Sequence, residues 1–220
     1  MGMGTSGNPA DPGRHQPDCG EIPGPYDEKW YPGAHIVIAY APLDDDQAGH
    51  PTMEHQIRLW LEPIQTGCSY LQQIPDRNLG QRMAAAMDKV LSSGTQKVVL
   101  IGSDCPDISE SILQEAFAAL QHHDVVFGPA LDGGYYLVGL SQPPGKLFEG
   151  IHWSTSSVLQ HSITQAHDLG LSCAAKLPSL QDLDTIQDLR TWMGTSSCTH
   201  PLHMHFKELL TTYKLLIQKG

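Results

Sequence analysis

Cationic residues are scarce in this chain of 220 residues: 13 Lys and Arg stand against 24 Asp and Glu, a formal net charge of -11 at pH 7. Such a surface repels phosphate backbones and anionic membranes, which excludes non-specific nucleic-acid binding. A phosphorylated small molecule stays open as a ligand, provided a metal ion or a local basic loop offsets the charge. Cysteine is sparse too. The five residues Cys19, Cys68, Cys105, Cys173 and Cys198 form no CxxC pair, so neither a disulfide framework nor a structural zinc site is indicated, and a reducing cytoplasm is the expected location. No apolar run approaches the roughly 18 residues of a membrane-spanning helix. The first thirty residues hold no basic segment followed by an apolar stretch, as a secretory signal would. Histidines are plentiful but scattered. His122-His123 and His203-x-His205 match no HExxH spacing and read as solvated surface.

The chain contains 40% hydrophobic and 17% charged residues, enough apolar matter for a folded domain. Of 21 glycines and 16 prolines, 13 fall within the first 33 positions with almost no apolar periodicity. Residues 1–34 therefore read as a disordered or loosely packed leader, with Tyr26, Trp30 and Tyr31 as its only anchors. Residues 35–195 read as one domain and 196–220 as an amphipathic helix packed on it, with Phe206, Leu209, Leu210, Tyr213 and Leu216 along its apolar side.

Within the domain, strand and helix patterns alternate. HIVIAYAP (35–42), CSYLQQI (68–74), KVVLIGSD (97–104), DVVFGPA (124–130), YYLVGL (135–140) and LSCAAKL (171–177) read as strands. Helical spacing marks 53–61, 79–91, the segment from a Ser109 cap to about His122, the segment from Thr155 or Ser156 to Leu169, and 184–192. KVVLIGSD is apolar and continuous, as a strand covered on both faces of a parallel sheet should be. The class is α/β: a Rossmann-like, mostly parallel sheet with helices on both faces.

Ligands of open α/β sheets gather beyond the carboxyl ends of the strands. After KVVLIG comes Ser103-Asp104-Cys105-Pro106-Asp107. A carboxylate at Asp104 suits Mg2+ or Mn2+ holding a diphosphate, although Asp is also an ordinary turn residue. A second acidic segment, Gln181-Asp182-Leu183-Asp184-Thr185, also lies between a strand and a helix. Alternation sets Asp182 and Asp184 on one side of it, while Thr185 and Asp188 fit a capping box. Two acidic elements after different strands could converge on one metal. Between two strands, Asp132-Gly133-Gly134 reads as a hairpin turn, and the glycines that precede Tyr135 and Tyr136 would let a ligand approach the backbone. Trp153-Ser154-Thr155 could offer an indole face and hydroxyls to a sugar, or simply cap the next helix.

Together VVLIGSDCPDIS, DVVFGPALDGGYYLVGL, LFEGIHWSTSSVL, LPSLQDLDTIQDL and NLGQRMAAAM resemble the DUF2064 family. This is a glycosyltransferase-like family, also described as rSAM/selenodomain-associated transferase 1, with the nucleotide-diphospho-sugar transferase (GT-A) fold. The resemblance runs over roughly residues 35–193. It implies transfer of a sugar from a nucleotide-diphospho-sugar to an unknown acceptor with a divalent metal. Asp104 and Asp184 would hold Mg2+ or Mn2+, and Asp104 and Asp132 would be catalytic. Leu79, Gly80, Arg82, Ser103, Gly133, Gly134, Tyr135, Trp153 and Thr155 would line the nucleotide and sugar.

In this resemblance HIVIAYAP corresponds to the family's second strand. The preceding segment offers only Pro12-Gly13-Arg14 in place of a first strand and a basic phosphate loop. A nucleotidyltransferase is a second reading, because the same fold serves that chemistry, although it would need the basic loop; a non-catalytic nucleotide-sugar-binding relative that has lost the loop is a third. A haloacid-dehalogenase phosphatase would want an Asp-x-Asp after its first strand, which Asp104-Cys105-Pro106 does not provide.

Overall fold

A computed structural model of the chain describes residues 34–41, 52–61, 67–75, 77–174, 177–197 and 200–212. The expected leader anchors Tyr26, Trp30 and Tyr31, and Tyr213 and Leu216 of the last helix, lie outside the described residues. The element order is β1 (Val37–Tyr40), α1 (Met53–Leu61), β2 (Ser69–Gln72), α2 (Leu79–Ser92), β3 (Val98–Ile101) and α3 (Glu110–Ala119). It continues with β4 (Val125–Pro129), β5 (Tyr135–Leu140), α4 (Val158–Asp168), β6 (Cys173–Ala174), α5 (Ile186–Thr195) and α6 (Pro201–Thr212). Each expected strand and helix is present among the described residues; the strands are shorter than expected, whereas α2 and α5 run on to Ser92 and Thr195. The α4 helix begins at Val158, after an Ser157 cap that makes no side-chain hydrogen bond, so Thr155 and Ser156 lie before it.

Strands β1 and β2 pair in parallel. The other four form a sheet in the order β3-β5-β4-β6. Here β5 is antiparallel to both β3 and β4, while β4 and β6 are parallel. It follows that β3, β4 and β6 run one way, and β5 alone is reversed because the Asp132-Gly133-Gly134 turn sends it back along β4. This corrects one expectation. β3 is no interior strand of a parallel ladder; among the described strands it pairs only with the returning β5.

Period-two alternation divides the core. On one face Val125, Phe127, Val138 and Leu140 pack with Met83 and Met87 of α2 and Ala166 of α4. On the other, Val126 and Leu137 meet Ile112 and Ala116 of α3. Even β3 is shared, with Val98 and Leu100 joining the first cluster and Val99 the second. The expectation of helices on both faces therefore holds. Asn78 closes a capping box with Gln81 at the start of α2, and Ser109 accepts from the Ile112 N–H at the start of α3. Each cap satisfies a donor the helix cannot.

Pairing of β4 with β5 slips between Gly128 and Pro129, so that Gly128 faces Leu137 while Pro129 faces Tyr135. Tyr136 is the extra residue of this bulge. It joins Leu137 on the α3 face, while Tyr135 turns to the α2 and α4 face. Gly128 leaves room for the Tyr136 ring, whose Cζ lies 2.6 Å from where a Cβ would be. Bulges of this kind re-aim side chains next to functional sites.

Candidate active site at an acidic rim

Three acid-bearing segments meet beyond the ends of β3 and β4. The chain leaving β6 forms a bridge between Ala130 and Leu180, with Leu131 N–H donating to the Leu180 carbonyl at 2.9 Å and Leu180 N–H to that of Pro129 at 3.1 Å. Three residues on, Leu183 N–H donates to the Asp104 carbonyl at 3.0 Å. One extended stretch thus ties the Asp132 loop to the Asp104 turn, and its own Asp182 and Asp184 are carried between them. Asp132 Oδ1 accepts from Gly134 N–H at 2.7 Å. Gly133 has φ 95°, and a Cβ there would stand 2.1 Å from the Ser156 carbonyl oxygen. Only glycine fits at that point. The Gly133 carbonyl in turn accepts from Leu159 N–H in the first turn of α4.

The charge at this rim is one-sided. Burial pushes the Asp182 carboxyl above its usual value, and the charges of Asp132, Asp184 and Asp104 push it further. The Cys105 thiol, 6% exposed, is pushed up to about 12 by burial first and then by Asp104, Asp182, Asp107 and Asp132. A thiol so held is protonated at neutral pH and is not a nucleophile. Tyr136 beside it is raised to about 12, mainly by burial, and donates to the Pro178 carbonyl at 3.0 Å. Among the described residues no Lys or Arg pairs with Asp104, Asp132, Asp182 or Asp184.

Two neighbouring acids have other duties. The indole Nε1–H of Trp192, 1% exposed, donates to Asp107 Oδ2 at 2.9 Å, and His200 Nε2 lies 3.7 Å from Asp107 Oδ1. Asp188 Oδ2 accepts from the Thr185 N–H at 2.8 Å in the α5 capping box. The cap is therefore Thr185, and Asp184 stands outside it.

The remaining expected residues separate into two groups. Ser103 and Asp104 line a cavity of about 410 Å³, walled by Leu183, Thr185, Leu202 and Phe206 among others. Gly80 and Trp153 line a larger cavity of about 580 Å³, with Arg77 and Asn78. There Gly80 is pressed on the indole, 2.6 Å from Trp153 Cζ2 to where a Cβ would be. Trp153 also meets Tyr135 edge-on at 6.4 Å and Phe148 at 6.5 Å, so its rings are engaged in packing. The Tyr135 hydroxyl is buried on the same side without a hydrogen-bond partner. Burial lifts its pKa above the ordinary tyrosine value, and only the neighbouring Ser162 hydroxyl acts the other way. Leu79 is exposed at the start of α2. Arg82 Nη1 donates to Gln73 Oε1 at 2.9 Å, bracing α2 against the chain after β2. Thr155 Oγ1 donates to the His152 carbonyl at 2.8 Å.

The structure thus sets Asp104, Asp132 and Asp184 within electrostatic reach of Asp182, with Gly133 and Gly134 beside Asp132, while Gly80 and Trp153 line the larger cavity. Asp182, Cys105 and Tyr136 stand within the motifs but were not among the expected site residues. Asp182 was visible in its alternation with Asp184. The direction of Tyr136 was not, because the bulge that turns it is silent in the sequence.

A family model described as an uncharacterized protein conserved in bacteria (DUF2064) matches residues 31–155. Among solved structures, the chain is similar to a protein of Desulfovibrio desulfuricans G20 described as a "putative nucleotide-diphospho-sugar transferase". The two share 32% identity with a TM-score of 0.67, over 83% of this chain and 77% of that one. No curated protein matches.

Proposed function

The chain belongs to the DUF2064 family, and we propose that it transfers a sugar from a nucleotide-diphospho-sugar to a hydroxylated acceptor at the acidic rim, using Mg2+ or Mn2+. What supports this reading is the single observation that Asp104, Asp132 and Asp184, from three separate segments, all bear on Asp182. Uncompensated carboxylates gathered at strand ends are a hard-oxygen donor set. Among the described residues no three His, Cys, Asp or Glu side chains form a metal cage. In the proposed site one or two carboxylates would hold the ion, and waters and substrate phosphates would complete its shell, as is usual for Mg2+. Asp104 and Asp184 would hold the cation, which when bound supplies positive charge against the leaving diphosphate.

The chain's own residues do the rest. Asp132 Oδ1 is held by Gly134 N–H, which orients the carboxylate and leaves Oδ2 to accept the acceptor's hydroxyl proton. Gly133, packed on the Ser156 carbonyl, fixes the turn that presents this carboxylate. As the acceptor oxygen bonds to the anomeric carbon, the bond from that carbon to the diphosphate breaks. The nucleoside diphosphate leaves with the electron pair. Gly80 and Trp153 line the larger cavity beside Arg77 and Asn78, and the Tyr135 ring packs on Phe127 and Trp153.

Calorimetric titration of UDP- and GDP-sugars with and without Mn2+ tests the proposal. Metal-dependent heat is expected for at least one donor, and Asp104→Asn should abolish it without lowering the melting temperature. A wild-type chain that gives no metal-dependent heat with any donor would return the reading to a non-catalytic relative. Unchanged binding in the variant would remove Asp104 from the site.

A further inference from the structure

We propose that the cavity beside Asp104 is the acceptor subsite, and that it takes an uncharged alcohol with an aliphatic or aromatic body. This rests on the transferase reading and adds a substrate class to it. Its lining is of two kinds, polar at Ser103, Asp104 and Thr185 and apolar elsewhere, with Leu183, Ile186, Leu202 and Phe206. A volume of about 410 Å³ lies in the range that encloses small molecules, roughly 300–1,000 Å³.

The wall is held in place. Trp192, fixed by Asp107, meets the Phe206 ring edge-on at 5.6 Å, and His203 Nε2 lies 3.2 Å from the Met193 carbonyl oxygen. α6 is thereby clamped to α5, so the gap between Asp104 and the helices is a built space. Two of its apolar side chains remain well exposed, Ile186 at 41% and Leu202 at 38%. A solvated apolar lining next to reactive polar groups is the composition of a small-molecule site, apolar for grip and polar for orientation.

Charge decides which ligand. Among the described residues no cationic side chain lines this cavity, and its one charged group, the Asp104 carboxylate, repels an anionic acceptor. A phosphorylated or carboxylated acceptor is disfavoured. An alcohol that lays its apolar body along Leu202, Ile186 and Phe206 would turn its hydroxyl to Asp104, and in the transferase reading its proton passes to Asp132.

The test uses the full chain with 1-octanol as the neutral probe, octyl phosphate as its anionic counterpart, and a UDP- or GDP-sugar with Mn2+ as donor. Saturable octanol binding is expected, about tenfold weaker for octyl phosphate and about tenfold weaker for octanol in Leu202→Gln and Ile186→Gln. Both substitutions are at exposed positions, and unchanged thermal melts confirm that the variants fold. Donor heats are read in the same titrations. Octanol binding that is absent, or equal in both variants and wild type, beside intact donor binding overturns the apolar subsite alone. Displacement of octanol by the free nucleoside also overturns it, since the cavity would then be the nucleoside's. Absence of donor binding in the wild type overturns the transferase reading instead.

Discussion

The two acidic segments, 103–107 and 181–188, look alike as sequence: each follows a strand, precedes a helix and carries several aspartates. In the structure each divides its acids the same way. Asp107 and Asp188 are tied into the fold, one to the Trp192 indole and the other to the Thr185 cap. Asp104, Asp182 and Asp184 are left at the rim, where Asp184 and Asp104 add to the upward push of burial on Asp182, and Asp104 and Asp182 to that on the Cys105 thiol. A carboxylate that receives N–H groups is stabilised by its neighbours, whereas one that faces other carboxylates is not. The same residue type in the same kind of turn thus serves two ends, and the partner decides which.

Removing the structural acids should separate the two kinds. Asp107→Ala leaves the buried Trp192 N–H without an acceptor and loosens α6, for an expected loss of about 2 kcal/mol, read as a lower midpoint in urea unfolding. Asp104→Asn on the same curve should change the midpoint little. A comparable loss in both variants would erase the distinction between them. Asp188→Ala removes half of the α5 capping box and an acid from the first helical turn, for about 1 kcal/mol. Thr185→Ala should cost a similar amount, while Asp184→Asn, outside the box, should cost much less. A large stability loss in Asp184→Asn would make that residue part of the scaffold and weaken its assignment to the cation.

Most of the scaffold was legible because its signals are local. Periodicity marked each helix and strand, Ser109 and Thr185 announced their caps, and the Asp-Gly-Gly turn announced the reversal of β5. What escaped depends on contacts distant in sequence. That β3, among the described strands, pairs only with β5 follows from where the hairpin returns, and no property of VVLI encodes it. The division of the tyrosines follows from a one-residue slip at Gly128 and Pro129. Of the site, the convergence of Asp104 with Asp184 was an expectation drawn from strand order, and the Leu183 to Asp104 backbone bond brings the two segments together. The placement of Gly80 against Trp153, at the wall of the larger cavity, joins residues far apart in the chain, which no motif encodes.

Asp124 offers the finest test of the division, because it is a structural acid far from the rim. Its Oδ2 accepts from both the Ser172 N–H at 2.8 Å and the Ser172 hydroxyl at 2.7 Å, joining the start of β4 to that of β6. The Ser172 hydroxyl, then its N–H, hold the carboxyl below the usual value against a smaller effect of burial. With the folded value depressed, the folded chain binds fewer protons than the unfolded one just below the ordinary carboxylate range. The stabilisation is complete above about pH 4 and is lost as the pH falls through the lowered folded value. Ser172→Ala should therefore cost about 0.5 kcal/mol at neutral pH, discounted for solvent screening, and should flatten the acid limb of the stability profile. Urea midpoints measured from pH 7 down to pH 3 would show it. If the two profiles stay parallel throughout, the Ser172 hydroxyl does not set the Asp124 proton affinity, and Asp124 loses its place beside Asp107 and Asp188.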